Sequence, residues 1–208
     1  AALTVPPTLA ADAGFGHNRT LLKGGLAMHP LYHDATRRLA DVLAIEEALG
    51  ILQWDQEIVM PSGAAAARGR QMATLAVLAH EKLTAPELQH ALDQLATASD
   101  LDDTATANVR EARREQQRAL RIPADLVRAW GEQTVHAHEV WVDARKQKNF
   151  ELFRPDLEKL VELAKARAAA VDPSKSAYDV LIDEFEPGMT MARLDGVFAQ
   201  LKAFLIPF

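Results

Sequence analysis

Residues 49–83 read LGILQWDQEIVMPSGAAAARGRQMATLAVLAHEKL, and the rest of the chain is organised around this corner. An apolar helix end runs into a Trp-Asp-Gln-Glu step. Pro61 and Gly63 then break the helical pattern, since proline lacks an amide donor and glycine favours turns. Ser62 is placed to cap a second helix over about 64–82, where the small residues Ala64 to Ala67 would let another backbone come close. Upstream, Leu39, Val42, Ile45, Leu49 and Leu52 recur at steps of three and four, which predicts one stripe of a helix over about 31–54. Leu43, Ala44 and Ile51 widen that stripe, so the helix is expected to be covered on more than one side.

Working outward, Thr84-Ala85-Pro86-Glu87 has the capping-box pattern and predicts a helix over about 85–98. A polar helix follows over 104–121, its narrow stripe made of Ala105, Val109, Ala112 and Ala119. The longest element is predicted over 124–147, with Val127, Trp130, Thr134, Ala137, Trp141 and Ala144 as a central packing face. Pro155 begins a helix to about Val171 that turns Leu157, Leu160, Val161 and Ala164 inward. A short helix over 178–184 precedes Glu186-Pro187-Gly188, and Thr190 caps a last amphipathic helix carrying Leu194, Phe198, Leu201 and Leu205. Alternating strand-type patterns are absent, so the expected fold is all-α, an array of six to eight helices.

Composition narrows the function classes. The 208 residues are 49% apolar and 25% charged, ordinary for a globular domain. A net charge of −6 and a pI near 5.6 argue against nucleic acid or an anionic membrane as partner. No cysteine is present, which rules out disulfides, thiolate metal sites and thiol nucleophiles and makes the cytoplasm the default expectation. No run approaches the roughly eighteen apolar residues of a membrane-spanning helix. Residues 1–27 lack the pattern of a secretory signal and are expected to be a flexible extension, with a natural start near Met28. Residues 28–208 are expected to form a single helical domain, truncated at its apolar carboxyl end, LeuLysAlaPheLeuIleProPhe.

Several blocks together carry a family resemblance. These are Trp54-Asp55-Gln56-Glu57 with Met60-Pro61, the run from Ala67 to Leu75 that contains Arg68, and Ala79-His80-Glu81. Further on stand the stretch from Asn108 to Glu115, the stretch from Arg121 to Val127, and Glu186-Pro187-Gly188-Met189-Thr190. In order and spacing they resemble the amino-terminal part of the carboxypeptidase Taq family of zinc metallocarboxypeptidases. The resemblance implies a helical, generally dimeric enzyme that removes single residues from peptide carboxyl termini. It also implies a metal held by a His-Glu-x-x-His helix, in a part of the family's longer chains that lies beyond Phe208. Zinc or another divalent metal is therefore expected only in the intact enzyme, with no cofactor in this chain. Trp54, Asp55, Gln56, Glu57, Met60, Pro61, Arg68, Glu186, Pro187 and Gly188 are expected to serve structure, and no catalytic or metal residue carries over.

His80-Glu81-Lys82-Leu83-Thr84 begins like the zinc motif, but Thr84 stands where the second histidine belongs. His136 and His138 point about 200° apart on a helix, so they do not grip one ion. His29 and His33 have the right spacing but no acidic third ligand. Asp55 and Glu57 could act as acid and base if buried together. The structural reading has them bonding backbone or arginine around the Pro61 corner while Trp54 fills the core. Arg110, Arg114 and Arg118 make a basic ridge that could face an acidic substrate, or a solvated face laced by Glu111 and Glu115.

Two readings follow. In the first, the chain is the amino-terminal region of a metal-dependent carboxypeptidase, inactive without the missing carboxyl-terminal catalytic region. In the second, it is a helical homo-oligomerisation or protein-interaction module derived from that family.

Overall fold

The computed structural model describes residues 29–61 and 63–208. The extension expected over 1–27 and the cap expected at Ser62 fall outside the described residues. Among those residues there are eight α-helices, one 3₁₀ turn and no strand, so the all-α expectation is met. In order they are α1 (Pro30–Ile58), α2 (Ala65–Leu83), α3 (Pro86–Leu95), α4 (Asp103–Ala119) and α5 (Ala124–Lys146). The turn Phe150–Leu152 leads to α6 (Arg154–Val171), α7 (Ala177–Phe185) and α8 (Met191–Leu205). The chain divides into two compact units between Leu163 and Ala164.

In the first unit, α1 places Ala35, Leu39 and Val42 in a core completed by Ala79, Leu83, Leu88, Leu92, Leu95, Val109 and Ala112. Farther along α1, Leu49 and Leu52, with Met60 just after its end, pack against a second cluster of Ala65, Met72 and Val135. The predicted stripe is therefore real, but it is narrower than expected, because Ile51 and Ala44 face solvent. Helix α2 meets α5 through small residues at four-residue steps, Ala65, Gly69 and Ala73. A Cβ built on Gly131 of α5 would lie 3.2 Å from the Ala73 Cα, so the two backbones are as close as side chains permit.

The helix ends differ from the expected caps in one place. Thr84 does not cap α3; its hydroxyl donates back to the His80 carbonyl at 2.7 Å, and Ala85 takes the cap position without a side-chain bond. Asp102 caps α4 by accepting from the Ala105 amide. Helix α5 ends on paired bonds from the Lys148 amide to the Arg145 carbonyl and from the Asn149 amide to the Ala144 carbonyl, with Lys148 at φ 53°. This is the Schellman closure with lysine where glycine is usual. Helix α6 is rotated from its expected face: Leu157 and Val161 are exposed, while Leu163, Ala168 and Val171 are buried.

In the second unit, Ser176 caps α7 and Thr190 caps α8 through bonds from the amides of Asp179 and Arg193. Gly188, at φ +79°, makes the turn between them and donates its amide to Asp183 Oδ1 at 2.8 Å. Asp179 accepts from the Met191 amide at 2.7 Å, and this bond, with help from the Ser176 hydroxyl, holds its carboxyl below the usual range.

Candidate functional site

The Trp-Asp-Gln-Glu step occupies the last turns of α1, where neighbouring side chains diverge around the helix. Asp55 turns toward α2 and meets Arg68 at 2.5 Å. Arg68 also donates through Nη1 to the Leu52 carbonyl at 2.5 Å and through Nε to Gln71 at 3.3 Å. With only 12% of its side chain accessible, Arg68 clamps the end of α1 to the start of α2. Gly63 at φ +91° provides the reversal between the two helices. Asp55 thus bonds an arginine at the corner, as the structural reading expected.

Glu57 points elsewhere. It accepts from Gln53 Nε2 at 3.2 Å and stands 3.3 Å from His138 Nε2 on α5. The His138 ring lies 5.7 Å from Trp141, over which the Arg145 guanidinium stacks at 5.3 Å. Asp55 and Glu57 therefore do not form an acid–base pair. Trp54 does not fill the core as expected; it is 61% exposed, because it projects on the side of α1 away from the Leu39–Val42 stripe. Ile51 and Ile58 flank it on that outer face, both exposed. Met60 packs beneath the corner, and Pro61 is exposed.

The histidines scatter. His136 faces Asp156 at 3.3 Å, and Gln133 donates to the same carboxylate at 2.8 Å, so His136 and His138 serve different partners, as their angular separation demands. His80 Nε2 lies 3.0 Å from the Ala119 carbonyl and fastens α2 to α4. His29 caps α1, its Nδ1 accepting from the Leu31 amide. Among the described residues, no three His, Cys, Asp or Glu side chains converge to hold a metal ion. The ligand set that a peptidase metal requires, two imidazoles and a carboxylate on converging elements, does not fit these residues.

Arg110 pairs with Glu111 at 2.9 Å. Arg114 and Arg118 act electrostatically on Glu115, so the ridge is laced by its own acids. Glu186 and Pro187 are exposed in the turn before α8.

Sequence reasoning missed one constellation. Glu46 lies one turn beyond Val42 on the inward stripe of α1, and Glu115 approaches it from α4. The Oε2 atoms of both are buried without a hydrogen-bond partner, as are the Oε1 atoms of Gln53 and Gln56. Burial, and secondarily the Glu115 charge, pushes the Glu46 carboxyl up to about 9. Burial raises Glu115 to about 7 against the opposing pull of Arg114. The available signal was the register of Glu46 four residues after Val42. Gln56 is 8% exposed, and buried Gln116 donates to the Leu83 carbonyl at 2.9 Å. A half-open pocket lined by Tyr32, Leu39, Leu92 and Asn108 has a volume of about 10 Å³, close to that of a single water site.

Against known proteins, residues 34–208 match the family described as carboxypeptidase Taq (M32) metallopeptidase. The chain is 33% identical over 168 residues to thermostable carboxypeptidase 1 of Thermus thermophilus, covering 74% of this chain and 33% of that protein. It is 30% identical over 166 residues to thermostable carboxypeptidase 1 of Pyrococcus furiosus, covering 80% of this chain and 33% of that one. Among solved structures, the crystal structure of BsuCP superposes with a TM-score of 0.81 at 27% identity, covering 86% of this chain and 36% of BsuCP. Metallocarboxypeptidase 1 of Trypanosoma cruzi gives a TM-score of 0.69 at 30% identity, with the same coverage of each chain. The chain thus spans about a third of the length of the relatives it matches.

Proposed function

The chain belongs to the carboxypeptidase Taq (M32) metallopeptidase family, and from that premise we propose that it is the amino-terminal helical region of a metal-dependent carboxypeptidase. The intact enzyme would release single carboxyl-terminal residues from peptides, using zinc or another divalent ion. This region would wall the peptide cleft and, alone, would be inactive. The observation that carries the reading is the family match over 34–208 in a sequence with no His-Glu-x-x-His. Four of the histidines support it: His29 caps α1, His80 ties α2 to α4, and His136 and His138 face different carboxylates.

The purified chain should therefore bind no stoichiometric zinc and leave a blocked dipeptide uncut at any zinc concentration. One equivalent of metal together with turnover would overturn the assignment of the chemistry to another part of the fold. A second reading, a homo-oligomerisation or protein-interaction module derived from the family, is favoured by the apolar exposure of α8. It requires a dimer or larger species in light scattering, and a monomer at all concentrations would remove it.

A further inference from the structure

Helix α8 has the pattern of an interior helix but stands uncovered. Of its fifteen residues, only Arg193, Asp195, Gln200 and Lys202 are polar. Leu194, Phe198, Leu201 and Leu205 follow one another at steps of four, three and four, so they share a face. Ala192, Gly196, Ala199 and Ala203 repeat the same steps on the opposite side. A helix that is large and apolar on one side and small on the other has no broad wet face, which is the signature of a helix packed between neighbours. Here neither side is covered. Apart from Leu194 every residue of α8 is exposed, and a Cβ added at Gly196 would meet nothing within 4 Å.

We propose that α8 is an interior helix of the complete family fold, seated between helices from the part of that fold that this chain does not span. One neighbour would interlock with the Phe198 and Leu201 side. The other would approach the backbone over Gly196 and Ala199, where it would leave no room for a bulky side chain. The inference rests on the family reading. Two observations favour this occupant over a second copy of the chain. First, the family match runs through residue 208 while the relatives are about two and a half times as long as this chain. Helix α8 therefore belongs to the shared fold, and in the relatives two thirds of the chain lies outside the matched part. Second, a symmetric pairing of two α8 helices would bury one side of each and leave the other bare. The side chains on the large face are aliphatic or Phe, as in a core, without the Tyr, Trp and Arg that mark interface centres.

The test compares the 208-residue chain with a chimera in which residues 34–208 replace the matching third of thermostable carboxypeptidase 1 from Thermus thermophilus. Gly196→Leu and Phe198→Glu are introduced separately into both. In the chain alone, each variant should leave the melting temperature within ~2 °C or raise it, because an exposed position is tolerant. In the chimera, each should lower it by about 5 °C or more, through overpacking on one side and a buried charge on the other. Variants tolerated equally in both proteins would overturn the proposal. So would a chimera that fails to fold cooperatively while the chain does, or a dimer of the chain alone that Phe198→Glu dissolves. Metal-dependent release of carboxyl-terminal residues by the chimera is read separately. Its absence beside the expected α8 effects would reject the carboxypeptidase reading and leave the placement of α8 standing.

Discussion

Glu46 shows how one side chain sets a pH dependence. A carboxyl whose pKa is higher folded than unfolded keeps a proton that the unfolded chain releases, so stability declines as pH climbs. For Glu46 the decline runs from the ordinary 4.5 to about 9, and for Glu115 from 4.5 to about 7. Glu46→Gln should remove most of this slope, gaining on the order of 5 kcal/mol at pH 8.5 and less than about 1 kcal/mol at pH 5. Urea midpoints at the two values check it, and an unchanged slope in the variant would place the titrating group elsewhere. Arg68 presents the opposite case. Its loss leaves the Leu52 carbonyl and Asp55 without their donor inside the corner, so Arg68→Ala should cost about 2 to 3 kcal/mol in chemical denaturation. Arg68→Lys should recover only part of that, since an ammonium does not reproduce the fork that reaches both acceptors.

At the scale of elements, the α2–α5 contact is set by the absence of side chains. Gly131→Ala adds a methyl 3.2 Å from the Ala73 Cα, whereas a Cβ at Gly50 meets nothing. The first should destabilise by about 1 to 3 kcal/mol through forced separation of the helices, while Gly50→Ala should stabilise by about 0.5 to 1 kcal/mol through helix propensity. Thermal melts of the two variants should move in opposite directions. The helices themselves were legible in sequence because the three-and-four spacing and the prolines mark them. The faces were less legible. The spacing turns Val161 inward, yet it lies outward, since a helix with apolar residues on several sides does not say which side meets a neighbour. Thr84 likewise has two acceptable partners, and a bond to its own helix won. The close approach was expected at Ala64 to Ala67, but it runs along Ala65, Gly69 and Ala73, because only every fourth residue returns to the same side.

For the whole molecule, fold class and family could be read from the sequence because both are written in patterns repeated over many residues. The outward position of Trp54 could not, since it depends on which flank of α1 is left without a neighbour. The same limit hid the Glu46–Glu115 pair, a meeting of two helices more than sixty residues apart. The placement of Trp54 has an optical consequence. Its indole is 61% exposed, whereas Trp130 and Trp141 are partly buried. Excited near 295 nm, the protein should show a red-edge emission component that acrylamide quenches readily and that Trp54→Phe abolishes. Emission unaltered by that substitution would mean the indole is shielded. Anything that settles on the outer flank of α1 would turn this signal bluer, so the protein carries its own unlabelled gauge of whether that flank is occupied.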